Sequence, residues 1–291
     1  MDGILNINKP VGMSSFDVVR KVKKISDTKK VGHTGTLDPE ASGVLPICIG
    51  AATKLVDYIM SDYKIYKVEL MLGMVTDTYD REGTVVKNCE VYLSENEAAY
   101  AIKSFEGSIK QIPPMYSALK VNGKRLYSLA RQGIEIERKP RDVNIYNIDI
   151  IDVSIPKITF MVKCSKGTYI RSLCYDIGEK LKCGGSMWNL KRIETGNFRI
   201  EDSIKLDDLT KENISNYLIP MDRVLMDYPE IHIDSKYEKL LINGVEMNNL
   251  FVIGDIQKNK LYRVYIGKDK FIGIGMRRDS GFKMTKLLLQ R

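Results

Sequence analysis

Val31-Gly32-His33-Thr34-Gly35-Thr36-Leu37-Asp38-Pro39-Glu40-Ala41-Ser42-Gly43-Val44-Leu45 is the stretch on which the reading of this chain turns. Three glycines, and a proline directly after an aspartate, mark a loop that presents side chains instead of packing them. The presented groups are an imidazole, His33, and a carboxylate, Asp38, and His33 is one of two histidines in the protein. Two readings stand at this point. Asp38 either bonds nearby backbone N–H groups in a structural turn, as aspartates before proline do, or it serves chemistry.

The rest of the chain narrows the choice. Its 291 residues are enough for about two domains, or one long one, with a sizeable core. No apolar run approaches the roughly 18 residues of a membrane span. The opening MDGILNINKP lacks the basic-then-apolar layout of a signal peptide, so a cytoplasmic protein without membrane contact is expected. Five cysteines, at 48, 89, 164, 174 and 183, are odd in number, widely spaced and without a C-x-x-C pair. That pattern argues against a disulfide framework or a structural zinc site and predicts reduced, mostly buried thiols. Two histidines exclude a multi-histidine metal centre. The net charge of +8 favours an anionic partner, and residues 110–141 hold eight Lys/Arg against two Glu, or +6 of it.

Outward from the loop, Ser14-Ser15-Phe16-Asp17 caps a helix through Ile25, with Phe16, Val18, Val19, Val22 and Ile25 on its apolar face. Lys9 reads either as a phosphate contact or as a solvated surface lysine. Residues 64–72 alternate as a half-buried strand, with Tyr66, Val68, Leu70 and Leu72 on one face. Thr76-Asp77-Thr78-Tyr79-Asp80-Arg81-Glu82-Gly83 is an acidic turn; its carboxylates could cage a hard cation, but Arg81 sits among them, and a solvated turn is the alternative. Ser94-Glu95-Asn96-Glu97 is a capping box for a helix running to Gly107.

In the basic segment, Pro113-Pro114, an Asn122-Gly123 turn and Gly133 break the chain, and Tyr116 and Tyr127 are interleaved with the cations. Charge for phosphates and rings for stacking suit an RNA backbone, although a merely soluble basic surface has the same composition. Strands follow at 143–153 and 158–164. A helix then begins near Thr168, with Ile170, Leu173, Cys174, Ile177 and Leu181 at helical spacing. Arg171 in its first turn opposes the helix dipole and calls for an anionic partner. Past 222, a short helix near 237–241 and strands at 261–266 and 271–276 predict a small β-rich unit, for RNA binding or alternatively a dimerisation or purely structural module.

The run GHTGTLDPEASGVLP, 32–46, resembles the active-site motif of the TruB family of tRNA pseudouridine synthases, and Asn8-Lys9-Pro10-Val11-Gly12-Met13-Ser14-Ser15 resembles that family's N-terminal motif. Later blocks agree in order and spacing to about residue 200. The resemblance implies an α+β fold, a mixed, largely antiparallel sheet flanked by helices, with a small C-terminal β-rich PUA-like domain. It divides the chain into a catalytic domain at 1–221, carrying 110–141 as a mobile RNA-clamping insertion, and the PUA-like domain at 222–291.

By the same resemblance Asp38, Tyr66 and Arg171 are catalytic, Arg171 pairing with Asp38. Tyr66, Tyr169 and Leu190 line the base pocket, and His33 occupies space that the flipped nucleotide leaves. On the sequence alone, Tyr66 and Leu190 would be core. The implied substrate is uridine 55 in the tRNA T-loop, bound through the T-arm by a monomer with no obligatory protein partner, no metal and no cofactor. Pseudouridine formation needs none, since it is an isomerisation without redox change. Two other classes remain from the residues: a non-catalytic RNA-binding or RNA-chaperone scaffold, and a carboxylate-metal nuclease built on the turn at 77–82.

Overall fold

The computed structural model describes residues 1–60, 62–121 and 123–289. Strand β1 (Gly3–Lys9) leads into helix α1 (Ser15–Ser26). The Ser14 hydroxyl accepts from the Asp17 N–H, and the Asp17 carboxylate accepts from the Ser14 N–H, so two free donors of the helix start are satisfied. Ser15, Val18, Val19 and Val22 bury. Phe16 does not: it lies about 100° around the helix from that face, and is 61% exposed under the Arg20 guanidinium.

Strands β2 (Val31–His33) and β3 (Ala41–Ile49) flank the loop that carries Asp38. A short helix α2 (Val56–Ile59) precedes β4 (Tyr63–Leu72), followed by the hairpin of β5 (Met74–Thr76) and β6 (Val85–Asn88). The capping box at Ser94 starts α3 (Glu95–Lys103), which stops short of Gly107, and β7 (Gly107–Gln111) follows. Within the basic segment, β8 (Lys120–Val121), β9 (Lys124–Arg125) and α4 (Leu126–Ala130) surround a small core of Met115, Leu126 and Leu129. Asn122, of the expected turn, lies outside the described residues.

The long antiparallel pair β10 (Arg141–Ser154) and β11 (Lys157–Ser165) leads to α5 (Ile170–Lys180) and β12 (Gly185–Thr195). With β13 (Phe198–Arg199) and β14 (Ile204–Lys205), these strands complete a ten-stranded sheet of order β14-β1-β3-β12-β4-β11-β10-β7, with β13 on β12 and β2 on β3. Only β1–β14 and β3–β12 are parallel among its pairings. The architecture is the expected α+β one. Its register stacks Val68 between Phe160 and Leu190, and Tyr66 between Val162 and Arg192, on one face of the sheet. The helices pack against that face through valines of α1 and through Ile170, Leu173, Cys174 and Ile177 of α5. Each fully buried Val, Leu, Ile or Phe contributes about 1.5–3 kcal/mol.

The C-terminal β unit pairs β15 (Glu230–Ile233) parallel to β16 (Leu261–Ile266), then antiparallel β17 (Lys270–Arg278) and β18 (Gly281–Leu287). Alternation had suggested only the middle two. Helices α6 (Glu238–Ile242) and α7 (Leu250–Ile253) intervene, and Ile233, Leu241, Val264, Ile272 and Phe282 fill the unit's own core. A further apolar cluster joins it to the large sheet: Ile274 and Leu288 meet Ile4, Val44, Cys48 and Leu55. Cys48, Cys164, Cys174 and Cys183 are buried free thiols and Cys89 is half-buried.

Candidate active site

Two buried cations shape the loop between β2 and β3. Lys9 is fully buried, and its Nζ donates to the carbonyls of Pro10 (2.7 Å), Met13 (2.7 Å) and Pro39 (3.1 Å). It is therefore neither a phosphate contact nor a solvated surface lysine. Burial pushes its amine down to about 8 from the ordinary 10.5, against the pull of Asp38 and Glu40. Arg192, also fully buried, donates from Nε to the Val44 carbonyl (2.7 Å), from Nη1 to Thr36 (3.3 Å) and from Nη2 to Gly35 (3.2 Å). Gly43 lets β3 come this close: at φ +105°, a Cβ there would lie 2.2 Å from the Arg192 carbonyl oxygen.

Leu37 anchors the loop centre. Its side chain is buried, and the Ser15 hydroxyl both donates to its carbonyl and accepts from its N–H, each at 2.8 Å. The next residue, Asp38, is thus held from both sides while its own side chain stays 37% exposed, with Oδ2 3.0 Å from Arg171 Nη2. The anionic partner that Arg171 required is in place.

Arg171 is buried, and both of its terminal nitrogens are engaged. Nη2 also donates to the Tyr116 carbonyl (2.8 Å), and Nη1 donates to the Thr78 carbonyl (3.4 Å) and lies 3.5 Å from Asp80 Oδ2. One guanidinium therefore joins Asp38, the turn at 77–82 and the basic segment. Asp80 is itself held, its Oδ1 accepting from Thr78 Oγ1 (2.6 Å) and the Glu82 N–H (3.2 Å). Among the described residues the carboxylates of this turn form no group that could hold a metal.

Tyr66 lies buried beside Arg192, and its phenol is pushed up to about 12, chiefly by burial. It is a neutral hydroxyl at physiological pH. Leu190 is buried opposite Ala41 and Val68 in register, next to the loop. Tyr169 caps α5 and is fixed by a reciprocal pair: its N–H donates to Gln111 Oε1 (2.8 Å), and Gln111 Nε2 donates to its carbonyl (3.0 Å). Burial pushes the Tyr169 phenol up as well. His33 ends β2, its imidazole held below the ordinary 6.5 first by burial and then by Arg192, so it is neutral. Its buried Nδ1 has no hydrogen-bond partner among the described residues.

The basic segment is tied to this site. Besides Tyr116, its Ile112 carbonyl accepts from Ser172 Oγ (2.8 Å). Arg125 and Arg131 flank the Tyr127 ring at 5.9 and 5.7 Å from its centroid. Sequence reasoning missed Arg192, Gln111 and the Asp80–Arg171 contact. Only for Arg192 was there a signal, since it shares the alternation of Leu190 two positions away.

Residues 23–170 match the family model of the TruB pseudouridylate synthase N-terminal domain, and residues 171–226 that of the tRNA pseudouridylate synthase B C-terminal domain. This chain belongs to the TruB family of pseudouridylate synthases. It is 60% identical over 289 residues to tRNA pseudouridine synthase B of Clostridium kluyveri, spanning 99% of this chain and all of that relative. With tRNA pseudouridine synthase B of Clostridium acetobutylicum it shares 59% identity over 288 residues, again 99% of this chain and all of the other. A solved Cbf5-Nop10-Gar1 complex contains a chain of similar fold, 26% identical, with a TM-score of 0.74, covering 99% of this chain and 85% of that one.

Proposed function

We propose that this protein is a tRNA pseudouridine synthase that converts the T-loop uridine at position 55. Asp38 is its reacting carboxylate, Arg171 the cation that orients Asp38, and Tyr66 the group against the base. The observation that carries this reading is the 3.0 Å contact between Arg171 and Asp38, in a chain whose relatives carry the synthase name from end to end. In the reaction the N1–C1′ bond breaks, the uracil turns, C5 joins C1′, and C5 gives up a proton as N1 gains one. Extrusion of the stacked uridine costs a few kcal/mol. Leu190, Tyr66 and Tyr169 offset it by packing on the base, and the neutral His33 fills the space left behind. Tyr66, a neutral phenol, assists removal of the C5 proton by hydrogen bonding, itself or through a water.

Residues 110–141 clamp the T-arm and order further on RNA, and 222–291 form a PUA-like domain that follows the catalytic domain at 1–221. We infer a monomer that acts on tRNA in the cytoplasm without an obligatory protein partner. The test is tritium release from tRNA carrying [5-³H]uridine, in EDTA, with the product mapped by position. Release from one T-loop uridine supports the reading. Tight binding of tRNA without release overturns it in favour of an RNA-binding scaffold.

A further inference from the structure

Three short segments bring Asp38, Asp80 and Leu190 to the site, and residues one or two positions from these meet one another away from it. Arg81 Nη2 lies 2.6 Å from Glu40 Oε2, and Arg81 Nη1 donates to Asn189 Oδ1 at 2.7 Å. Asn189 Nδ2 in turn donates to Glu69 Oε1 (3.0 Å). The Arg81 and Glu40 side chains are 28% and 21% exposed, so the pair is shielded more than an ordinary surface contact. Glu40 and Asn189 line a groove with Ser42, Lys67, Glu69 and Lys191. Lys67 and Glu69 alternate with Tyr66 and Val68 along β4, which puts this groove on the face of the sheet opposite Tyr66.

We propose that Arg81 is a positioning residue for catalysis: by joining Glu40 and Asn189 behind the sheet, it holds the Asp80–Arg171 contact in register with Asp38. The turn at 77–82 is then bolted to the Asp38 loop twice, inside the site through Arg171 and behind it through Arg81. Arg81 touches no reacting atom. Its effect runs through the placement of Arg171 against Asp38, where a shift of about 1 Å can cost on the order of 10²-fold in rate. The inference rests on the reading of Asp38 as the reacting carboxylate.

The test compares single-turnover tritium release and tRNA binding for the wild type, Arg81→Lys, Arg81→Ala, Glu40→Gln and the double variant Arg81→Ala/Glu40→Gln. Arg81→Ala and Glu40→Gln should each lower the rate about 10-fold, with tRNA Kd and its salt dependence unchanged. The double variant should be no slower than the worse single, since both break one contact. Arg81→Lys, which keeps the charge but lacks the fork that reaches two partners, should fall between the wild type and Arg81→Ala. Unchanged rates alongside a lowered Tm would reduce the pair to a fold contact. A weaker Kd with a flatter salt slope would make Arg81 a phosphate contact instead. Either result overturns the positioning role while leaving the synthase reading intact, whereas no release by the wild type overturns both.

Discussion

The Asp38 loop and the basic segment meet at the same guanidinium, that of Arg171, yet they are held in opposite ways. The loop has little apolar material beyond Leu37 and is fastened through backbone carbonyls by two buried cations, Lys9 and Arg192. Apart from Arg138, which is 16% exposed and donates to the Pro113 carbonyl, the segment at 112–140 carries its cations outward and rests on a core of Met115, Leu126 and Leu129, with the Tyr116 and Ile112 carbonyls as its ties to α5. Cations that point inward hold the Asp38 loop in place; on the proposed reading, cations that point outward bind the RNA. Chemistry and binding should therefore fail separately.

The sharpest break is Asp38→Asn, expected to lower kcat by roughly 10⁴-fold or more with tRNA affinity little changed; retained turnover would remove Asp38 from the reaction. Arg171→Ala should cost on the order of 10²–10³-fold in kcat, and a change confined to Kd would place Arg171 on the binding side of the comparison. Arg192→Met leaves the Gly35, Thr36 and Val44 carbonyls without their donor. It should cost about 2–4 kcal/mol in denaturant unfolding, and an unchanged midpoint would show the loop is held otherwise.

Replacing Lys120, Lys124, Arg125 and Arg131 with Ala should weaken tRNA binding, with the salt slope falling by about one for each lost phosphate contact, while single-turnover rate at saturation stays put. The smallest effect concerns pH. Above about 8 Lys9 loses its proton, leaving two N–H donors for three carbonyls, so kcat should decline. Stability should not decline with it. The folded value lies below the unfolded 10.5, so the unfolded chain holds more protons between about 8 and 10.5, and the Lys9 contribution to stability rises with pH there. Parallel loss of Tm and kcat would break this account.

Much of the scaffold was legible because it follows local rules. Alternation marked β4 and β11, and the capping boxes at Ser14 and Ser94 marked helix starts that the structure repeats. Phe16 misled because one apolar residue at the edge of a helical face satisfies the spacing without being covered. The site was legible only through motif resemblance. The local sequence makes Tyr66 and Leu190 core residues, and they are buried; nothing local shows that a loop remote in sequence from both lies beside them. Lys9 and Arg192 were hidden for a different reason. Lysine and arginine are almost always surface residues, and their burial depends on carbonyls that only the folded loop assembles.

The apolar joint between the two sheets also has a bearing on how a substrate is measured. Ile274 and Leu288 pack on Val44 and Cys48 of β3, and β3 is the strand into which the Asp38 loop runs. The C-terminal unit and the strand that carries the Asp38 loop thus belong to one stiff gauge, like the fixed jaw of a caliper. On the proposed reading, an RNA touching the far sheet would meet Asp38 at a constant offset, and the span of the folded RNA, as much as the base presented, would decide what is modified.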